Sequence, residues 1–154
     1  MQDEMIDRQI VTRKIINGKR ELQLTWSEIA QKLGISNIAQ CTAALLGQMP
    51  FTSEKAVKVA SLFNLSKLET LVLQEVPYRG AINELIPKDP TLYRFYELLQ
   101  VYGTALKELI HENFGDGIMS AIDCYISIEK VNDPRGDRIK VIIDGKHLKY
   151  PDLE

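Results

Sequence analysis

The sequence predicts an α+β protein with a helical bundle, then one long helix, then a small antiparallel sheet. Residues 1–75 carry apolar side chains at helical spacing, in short runs separated by tight turns. Residues 89–113 show the same spacing in one long uninterrupted run. From Ile118 onward the apolar period becomes two, which is typical of a strand. An irregular stretch with prolines and a glycine lies between the two parts. We therefore predict a helical domain over residues 1–76 and a second domain over residues 77–154.

Five helices are predicted in the first part, each bounded by residues that favour helix ends. Their predicted ranges are 5–17, 26–33, 37–46, 53–62 and 68–74. The clearest start is Thr25, an N-cap whose partner Glu28 completes a capping box. The remaining predicted N-caps are Ser36, Thr52 or Ser53, and Ser66. The glycines predicted to end helices are Gly18, Gly34 and Gly47.

Residues 27–36 resemble the helix-turn-helix of phage-repressor-like domains. Ala30 is small where two helices would cross, and Gly34 would make the turn. DNA binding is not favoured, because the recognition helix at 37–46 contains neither Lys nor Arg. Residues 1–75 hold nine basic and eight acidic side chains, whereas phosphate neutralisation supplies most non-specific DNA affinity. We therefore interpret this segment as a packing module and expect no nucleic-acid partner.

The second part begins with a well-marked helix, since Asp89 is a natural N-cap and Pro90 fits the first helical position. Six alternating residues of the following strand are predicted to share one face: Ile118, Ser120, Ile122, Cys124, Ile126 and Ile128. A turn then leads to a partner strand over 138–143, and Asp144–Gly145 is predicted to form a further turn. Two strands and one helix cannot bury both faces of such a strand. We therefore expect an oligomer whose C-terminal parts interlock.

Composition excludes several classes of protein. Hydrophobic residues make up 45% and charged residues 26% of the chain, and its net charge is −2, as in a soluble globular protein. No apolar run approaches membrane-helix length and the N-terminus does not resemble a signal peptide, so we expect a cytoplasmic protein with no membrane partner. Cys41 and Cys124 are then free thiols. No zinc-ligand or nucleotide-binding motif occurs, and His111 and His147 are interpreted as structural.

Three side chains could carry chemistry. Arg94 and Glu97 are three residues apart on one helix face and flanked by aromatic residues, although such a pair is also a common surface ion pair. Ser120 is the one polar residue on the predicted core-facing side of its strand before Cys124. On the residues alone, a small hydroxyl bonded to the nearby backbone is the favoured explanation. The sequence shows no obvious His/Asp arrangement that would activate it, so a nucleophilic serine is not supported.

The run DPTLYRFYELLQVYGTALKELIHENFGDGIMSAID, residues 89–123, resembles the cyanase family, also called cyanate hydratase or cyanate lyase. The likeness extends back through PYRGAINELIPKDP and forward through VNDPRGDRIKVIIDGK, and more loosely to CTAALLGQ at 41–48. It implies a lyase that decomposes cyanate with bicarbonate as co-substrate, giving ammonia and carbon dioxide through carbamate. By position, the family's catalytic residues fall on Arg94, Glu97 and Ser120.

The resemblance further implies no metal or organic cofactor, and a homodecamer of five dimers with active sites at subunit interfaces. Detoxification of cyanate and nitrogen supply both fit as physiological purposes. The chain departs from the family at Cys124, where many relatives have a larger aromatic residue, and in its last residues, KYPDLE. We expect Cys124 to affect stability more than chemistry.

The residues are consistent with that chemistry. Two monoanions repel each other, and the planar donor fork of Arg94 would bind both. Ser120 would donate a hydrogen bond to the charge that develops on the adduct. Two roles fit Glu97, orienting Arg94 or relaying protons.

Two alternative functions of the whole protein stay open from the sequence. One is a helix-turn-helix DNA-binding regulator with a C-terminal oligomerisation module, and the other is an inactive relative retained for assembly.

Overall fold

The computed structural model describes residues 5–153, which form six helices followed by a two-stranded antiparallel sheet. The helices are α1 (Arg8–Leu22), α2 (Trp26–Leu33), α3 (Ile38–Leu45), α4 (Ser53–Phe63), α5 (Lys67–Val72) and α6 (Pro90–Phe114). The strands are β1 (Gly117–Val131) and β2 (Arg138–Lys149). The α+β prediction is thereby confirmed. The described chain divides into two compact units, one with residues 5–80 and 126–142 and the other with residues 81–125 and 143–153.

Helices α1 to α5 enclose one hydrophobic core and are together called the helical unit. Its fully buried large side chains are Val11, Ile15, Ile29, Leu33, Cys41, Leu45, Val59 and Leu73. The predicted capping box forms at Thr25, whose Oγ1 accepts from Glu28 N while Thr25 N donates to Glu28 Oε2. The predicted N-cap Ser66 is also confirmed, and with Glu69 it forms a second capping box that the sequence did not predict. The predicted cap Thr52 is also confirmed, with Oγ1 accepting from Lys55 N. These local signals fix where α2, α4 and α5 begin.

Helix α1 differs from its prediction at both ends. It begins at Arg8 with Asp7 as N-cap, so Met5 lies outside it, and it continues beyond Gly18 to Leu22. Gly18 does not end the helix, because it lies where the helix packs against Phe63. A Cβ atom at Gly18 would lie 2.7 Å from Phe63 Cδ1. This glycine therefore serves close packing between α1 and α4.

Helix α3 is capped by Asn37, not by Ser36 as predicted. Asn37 Oδ1 accepts a hydrogen bond from Gln40 N at 3.1 Å. Serine and asparagine are both good N-caps. Asn37 directly precedes the first helical residue and has the extended backbone that an N-cap requires. Gly34 ends α2 in the left-handed conformation, as predicted.

Two polar side chains, Arg8 and Glu69, link separate helices of the helical unit by hydrogen bonds. The Arg8 guanidinium donates to the carbonyl oxygens of Leu73 (3.2 Å), Ala44 (2.8 Å) and Met49 (2.9 Å), and burial lowers its pKa. Each carbonyl comes from a different part of the unit. Arg8 therefore ties the start of α1 to the ends of α3 and α5 and to the connection after α3.

Glu69 forms the second of these links. Its carboxylate accepts from Lys14 Nζ at 3.0 Å and from Ser66 N at 2.7 Å, which joins α5 to α1. Burial would raise the pKa of Glu69, but the hydrogen bonds from Ser66 and Lys14 outweigh burial and the pKa is lowered. The carboxylate is thus charged and paired in the folded state.

Helix α6 follows its prediction closely. Asp89 Oδ1 accepts from Thr91 N and Leu92 N, Pro90 is the first helical residue, and Gly115 follows the last one. Yet none of its 25 described residues is buried. Large apolar side chains are about half exposed along it: Leu92, Phe95, Leu98, Leu99, Val101, Tyr102, Leu106, Leu109 and Phe114. Large apolar stripes that stay exposed on one chain are typical of interaction surfaces.

The hairpin β1–β2 corrects two predictions. Asp144–Gly145 is not a turn but part of β2, which runs on to Lys149. The alternation of faces is also broken, since Ser120 is 5% exposed whereas Ile122, predicted to share its face, is 99% exposed. Strand β1 has 15 residues and β2 has 12, so β1 must accommodate extra residues. Within β1, Ile122 N and Asp123 N both donate to Ser120 Oγ, which marks one place where the regular ladder is interrupted.

Although α6 has 25 residues, no helix among residues 5–153 combines the length and the apolar character that a membrane crossing requires.

Candidate active site

Arg94 and Glu97 form an ion pair on the first turns of α6. The helix places side chains three residues apart on one face, and Arg94 Nη1 donates to Glu97 Oε2 at 2.8 Å. The Arg94 guanidinium carbon also lies 5.7 Å from the centre of the Tyr93 ring, within reach of a cation–π interaction. The predicted pair is therefore present, with a neighbouring aromatic ring that restricts the guanidinium.

The Arg94 side chain is 67% exposed and that of Glu97 48% exposed. A guanidinium has five N–H donors, and Glu97 takes one of them. Within residues 5–153 the other donors of Arg94 form no hydrogen bond to protein, so they are available to an anion. A cation with a free planar donor fork is the group that best recognises a carboxylate-like anion.

Ser120 lies near the start of β1 and is almost fully buried. Its Oγ accepts hydrogen bonds from Ile122 N (3.1 Å) and Asp123 N (2.8 Å). A hydroxyl oxygen has two lone pairs, so both are engaged and the O–H hydrogen is the remaining bonding capacity. The interpretation as a backbone-bonded hydroxyl is therefore confirmed. With both lone pairs engaged, the hydroxyl can bond a further group only as a donor.

The structure joins Arg94 to Glu97 but does not join Ser120 to either of them by a hydrogen bond within residues 5–153. Among the same residues, the side chains of His, Cys, Asp and Glu form no cluster of three that could hold a metal ion. The His147 ring packs 5.3 Å from that of Phe114, in keeping with a structural histidine. Cys124 is a half-buried free thiol.

Sequence reasoning missed one residue beside Ser120. Gly145 lies in β2 against the Ser120 carbonyl oxygen, whereas the sequence placed it in a turn. The usable signal was a glycine inside an otherwise strand-like run, which often marks a close approach of two backbones.

The helical unit also contains a cavity of about 210 Å³, with Cys41, Met49, Phe51 and Lys55 in its lining. Burial raises the pKa of the Cys41 thiol, although Lys55 acts in the opposite direction. A thiol with a raised pKa is a poor nucleophile at neutral pH. Thiol catalysis in this cavity is therefore disfavoured, and the candidate site is that of α6 and β1.

Two family models match adjacent parts of the chain. Residues 8–77 match the N-terminal domain of cyanate hydratase, and residues 84–152 match the C-terminal domain of cyanate lyase. The chain belongs to the cyanate hydratase family. Both descriptions name an enzyme, so membership places the chain among cyanase-type lyases.

Individual proteins agree with this assignment. The cyanate hydratase of Polynucleobacter asymbioticus is 49% identical over 145 residues, which are 94% of this chain and 98% of the relative. That of Methylibium petroleiphilum is 50% identical over 140 residues, 91% of this chain and 95% of the relative. The crystal structure of cyanase from T. urticae superimposes with a TM-score of 0.79 at 38% identity, covering 92% of this chain and 98% of that one. The likeness therefore spans both parts of the fold.

Proposed function

We propose that this protein is a cyanase, which decomposes cyanate with bicarbonate to ammonia and carbon dioxide through carbamate. The observation that carries the proposal is the Arg94–Glu97 pair, exposed at the start of α6 in a chain that matches cyanate hydratases along almost its whole length. The balanced reaction is NCO⁻ + HCO₃⁻ + 2 H⁺ → NH₃ + 2 CO₂. One proton enters when the adduct releases carbon dioxide to leave carbamate, and the second when carbamate breaks down.

In this proposal Arg94 brings the two anions together. Like charges oppose their approach, and a guanidinium with free donors compensates that repulsion while orienting planar carboxylate-like groups. Glu97 holds one nitrogen of the fork at 2.8 Å, which supports the orienting role over proton relay. The remaining donors then point in defined directions before either substrate arrives.

Ser120 supplies a hydrogen bond to the charge that builds on the adduct. Its acceptor positions are filled by Ile122 N and Asp123 N, so the hydroxyl is preorganised as a donor. Donation in a buried setting is stronger than in water, and such fixed donors lower the barrier as charge develops. No covalent step through Ser120 is needed.

The active site is proposed to lie between subunits. Arg94 is exposed, Ser120 is bonded to its own strand, and the apolar stripe of α6 is uncovered within one chain. Copies of the chain packing through α6 and the hairpin would cover the stripe and enclose the site. We propose a cytoplasmic homodecamer of five dimers, as the family resemblance implies, with neither a metal nor an organic cofactor.

The test is ammonia release by the purified full-length protein given cyanate, with and without bicarbonate, together with its mass in solution. Bicarbonate-dependent ammonia from a species far above 17.5 kDa is expected. No ammonia from a folded oligomer would refute the activity, and an active monomer would refute the shared site. Mixed duplex DNA serves as the control ligand. Tight, steeply salt-dependent binding to it would instead support a regulator, which the uncharged helix α3 does not favour.

A further inference from the structure

We infer that Gly145 is a positioning residue for Ser120, needed because no side chain fits between β2 and the Ser120 backbone. The inference rests on the proposed role of Ser120 in cyanate decomposition. It assigns a requirement for catalysis to a glycine that has no polar group and would not itself touch a substrate.

The requirement is steric. A Cβ atom at Gly145 would lie 2.6 Å from the carbonyl oxygen of Ser120, and it would also collide with Met119 Cγ. Non-bonded atoms make ordinary contact at about 3.5 Å, so a side chain at this position forces the two strands apart. Gly145 is not among the described glycines with positive φ, so conformational freedom is not the reason for glycine here.

The affected carbonyl belongs to Ser120, the residue whose hydroxyl is proposed to act as a donor. Ser120 Oγ accepts from two successive backbone amides of its own strand, at 3.1 and 2.8 Å, and this sets the direction of its O–H bond. Moving the Ser120 backbone by about 1 Å would disturb both bonds, and a misplacement of that size costs roughly 100-fold in rate. Gly145→Ala should therefore impair the chemical step while the hairpin still forms.

The hairpin offers a matched control in Gly117. A Cβ atom there would lie 2.6 Å from the Leu148 carbonyl oxygen and would collide with the His147 ring. Gly117→Ala thus introduces the same methyl against the same kind of backbone atom in the same hairpin. It presses on β2 at Leu148, however, and not on Ser120.

The experiment measures kcat and KM for cyanate at saturating bicarbonate in Gly145→Ala, Gly117→Ala, Ser120→Ala and the double variant Ser120→Ala/Gly145→Ala. We expect Gly145→Ala to lower kcat about 10- to 100-fold with KM changed less than about threefold, because a transition-state contact is lost. Gly117→Ala should keep kcat within about threefold at a comparable loss of melting temperature. In the Ser120→Ala background, the Gly145 change should have little further effect, since residues that act through each other are not additive.

Two outcomes separate the inference from the proposed function. If Ser120→Ala is fully active, the role of Ser120 is wrong and the inference falls with it. If Ser120→Ala is impaired but the Gly145 change lowers kcat by the same factor with and without Ser120, the role of Ser120 stands and the positioning inference is overturned. Equal losses of kcat in Gly145→Ala and Gly117→Ala would overturn it as well.

A second pair of variants applies if Gly145→Ala does not assemble. Met119→Ala/Gly145→Ala relieves the collision with the Met119 side chain and leaves the one with the Ser120 carbonyl oxygen. We expect its kcat to be about 10- to 100-fold below that of Met119→Ala alone. Equal kcat values for these two variants would overturn the inference.

Discussion

Replacing Arg94 by Lys tests the central electrostatic element of the proposed site. Lysine keeps the positive charge but loses the planar fork with its five donors. In the structure one of those donors is held by Glu97 at 2.8 Å, while the others have no protein acceptor among residues 5–153 and can bind an anion. An ammonium group in this position could bind one partner at a time as a point charge, but it could not hold two planar anions in register.

The magnitudes of the two possible roles differ enough to decide between them. As an exposed ion pair three residues apart on a helix, Arg94–Glu97 is worth only about 0.3–0.5 kcal/mol of stability. As a preorganised stabiliser of the adduct, its loss would cost about 100- to 1000-fold in kcat, or roughly 3–4 kcal/mol. Arg94→Lys should therefore be assembled and thermally stable, yet severely impaired in turnover.

The assay is ammonia release under saturating cyanate and bicarbonate, with melting temperature and oligomer mass measured on the same samples. Arg20→Lys is the matched control, because Arg20 Nη1 donates to Asn17 Oδ1 at 3.0 Å with the same spacing of three on α1. It should leave turnover unchanged. Near-normal turnover in Arg94→Lys would refute the proposed binding of both anions by the Arg94 guanidinium. A melting temperature that falls together with turnover would refute the claim that Arg94 matters for catalysis and little for stability.

Three further predictions concern the helical unit. Glu69→Gln should lower stability at pH 7 by about 1–3 kcal/mol, because Gln cannot replace the charged acceptor of Lys14 and Ser66. Since the pKa of Glu69 is lowered in the folded state, this contribution is present above the unfolded value of about 4.3, and the melting curves of both proteins should converge as the pH falls through the lower folded-state pKa. Arg8→Met should cost about 3 kcal/mol in denaturant unfolding, since three carbonyl oxygens lose a charged donor; an unchanged midpoint would contradict this. Gly18→Ala should lower the free energy of unfolding by about 1–3 kcal/mol despite the better helix propensity of Ala, because the added methyl collides with the Phe63 ring. Higher thermal stability of this variant would show that the Phe63 ring can move aside.

The features that could be predicted from the sequence are those whose causes are local. Thr25, Ser66 and Asp89 cap their helices as predicted, because an N-cap hydrogen bond spans only two or three residues. The Arg94–Glu97 pair is of the same kind, since helix geometry alone brings side chains three apart together. Local sequence therefore determined half of the candidate site.

The features that were missed depend on residues far away in the chain. The sequence pattern around Gly18 predicts a helix end, yet its partner Phe63 lies 45 positions further on, and only packing of α1 on α4 makes a glycine necessary. The pattern around Gly145 predicts a turn, because its contact with Ser120 in the other strand cannot be seen in local sequence. Glycine in a single sequence signals either a backbone bend or a close approach, and the difference is tertiary.

Ser120 shows why burial could not be predicted from the alternating pattern. Period two assumes a regular ladder, and the ladder is interrupted where Ile122 N and Asp123 N donate to the serine hydroxyl. The same interruption is what converts an ordinary strand serine into an oriented donor. The departure from the regular pattern and the proposed function of the residue thus have one structural origin.

The distribution of exposure also supports the proposed assembly of several chains around the proposed active site. Cyanate and bicarbonate repel each other, and positive charge on an open helix surface is weakened by water and salt. Arg94 is two-thirds exposed within one chain, where its attraction for two anions is largely screened. Covering the apolar stripe of α6 with another subunit would remove water from around Arg94 and thereby strengthen its field. Assembly and catalysis would then depend on the same surface, so a variant that exposes the stripe should lose turnover even with Arg94, Glu97 and Ser120 intact.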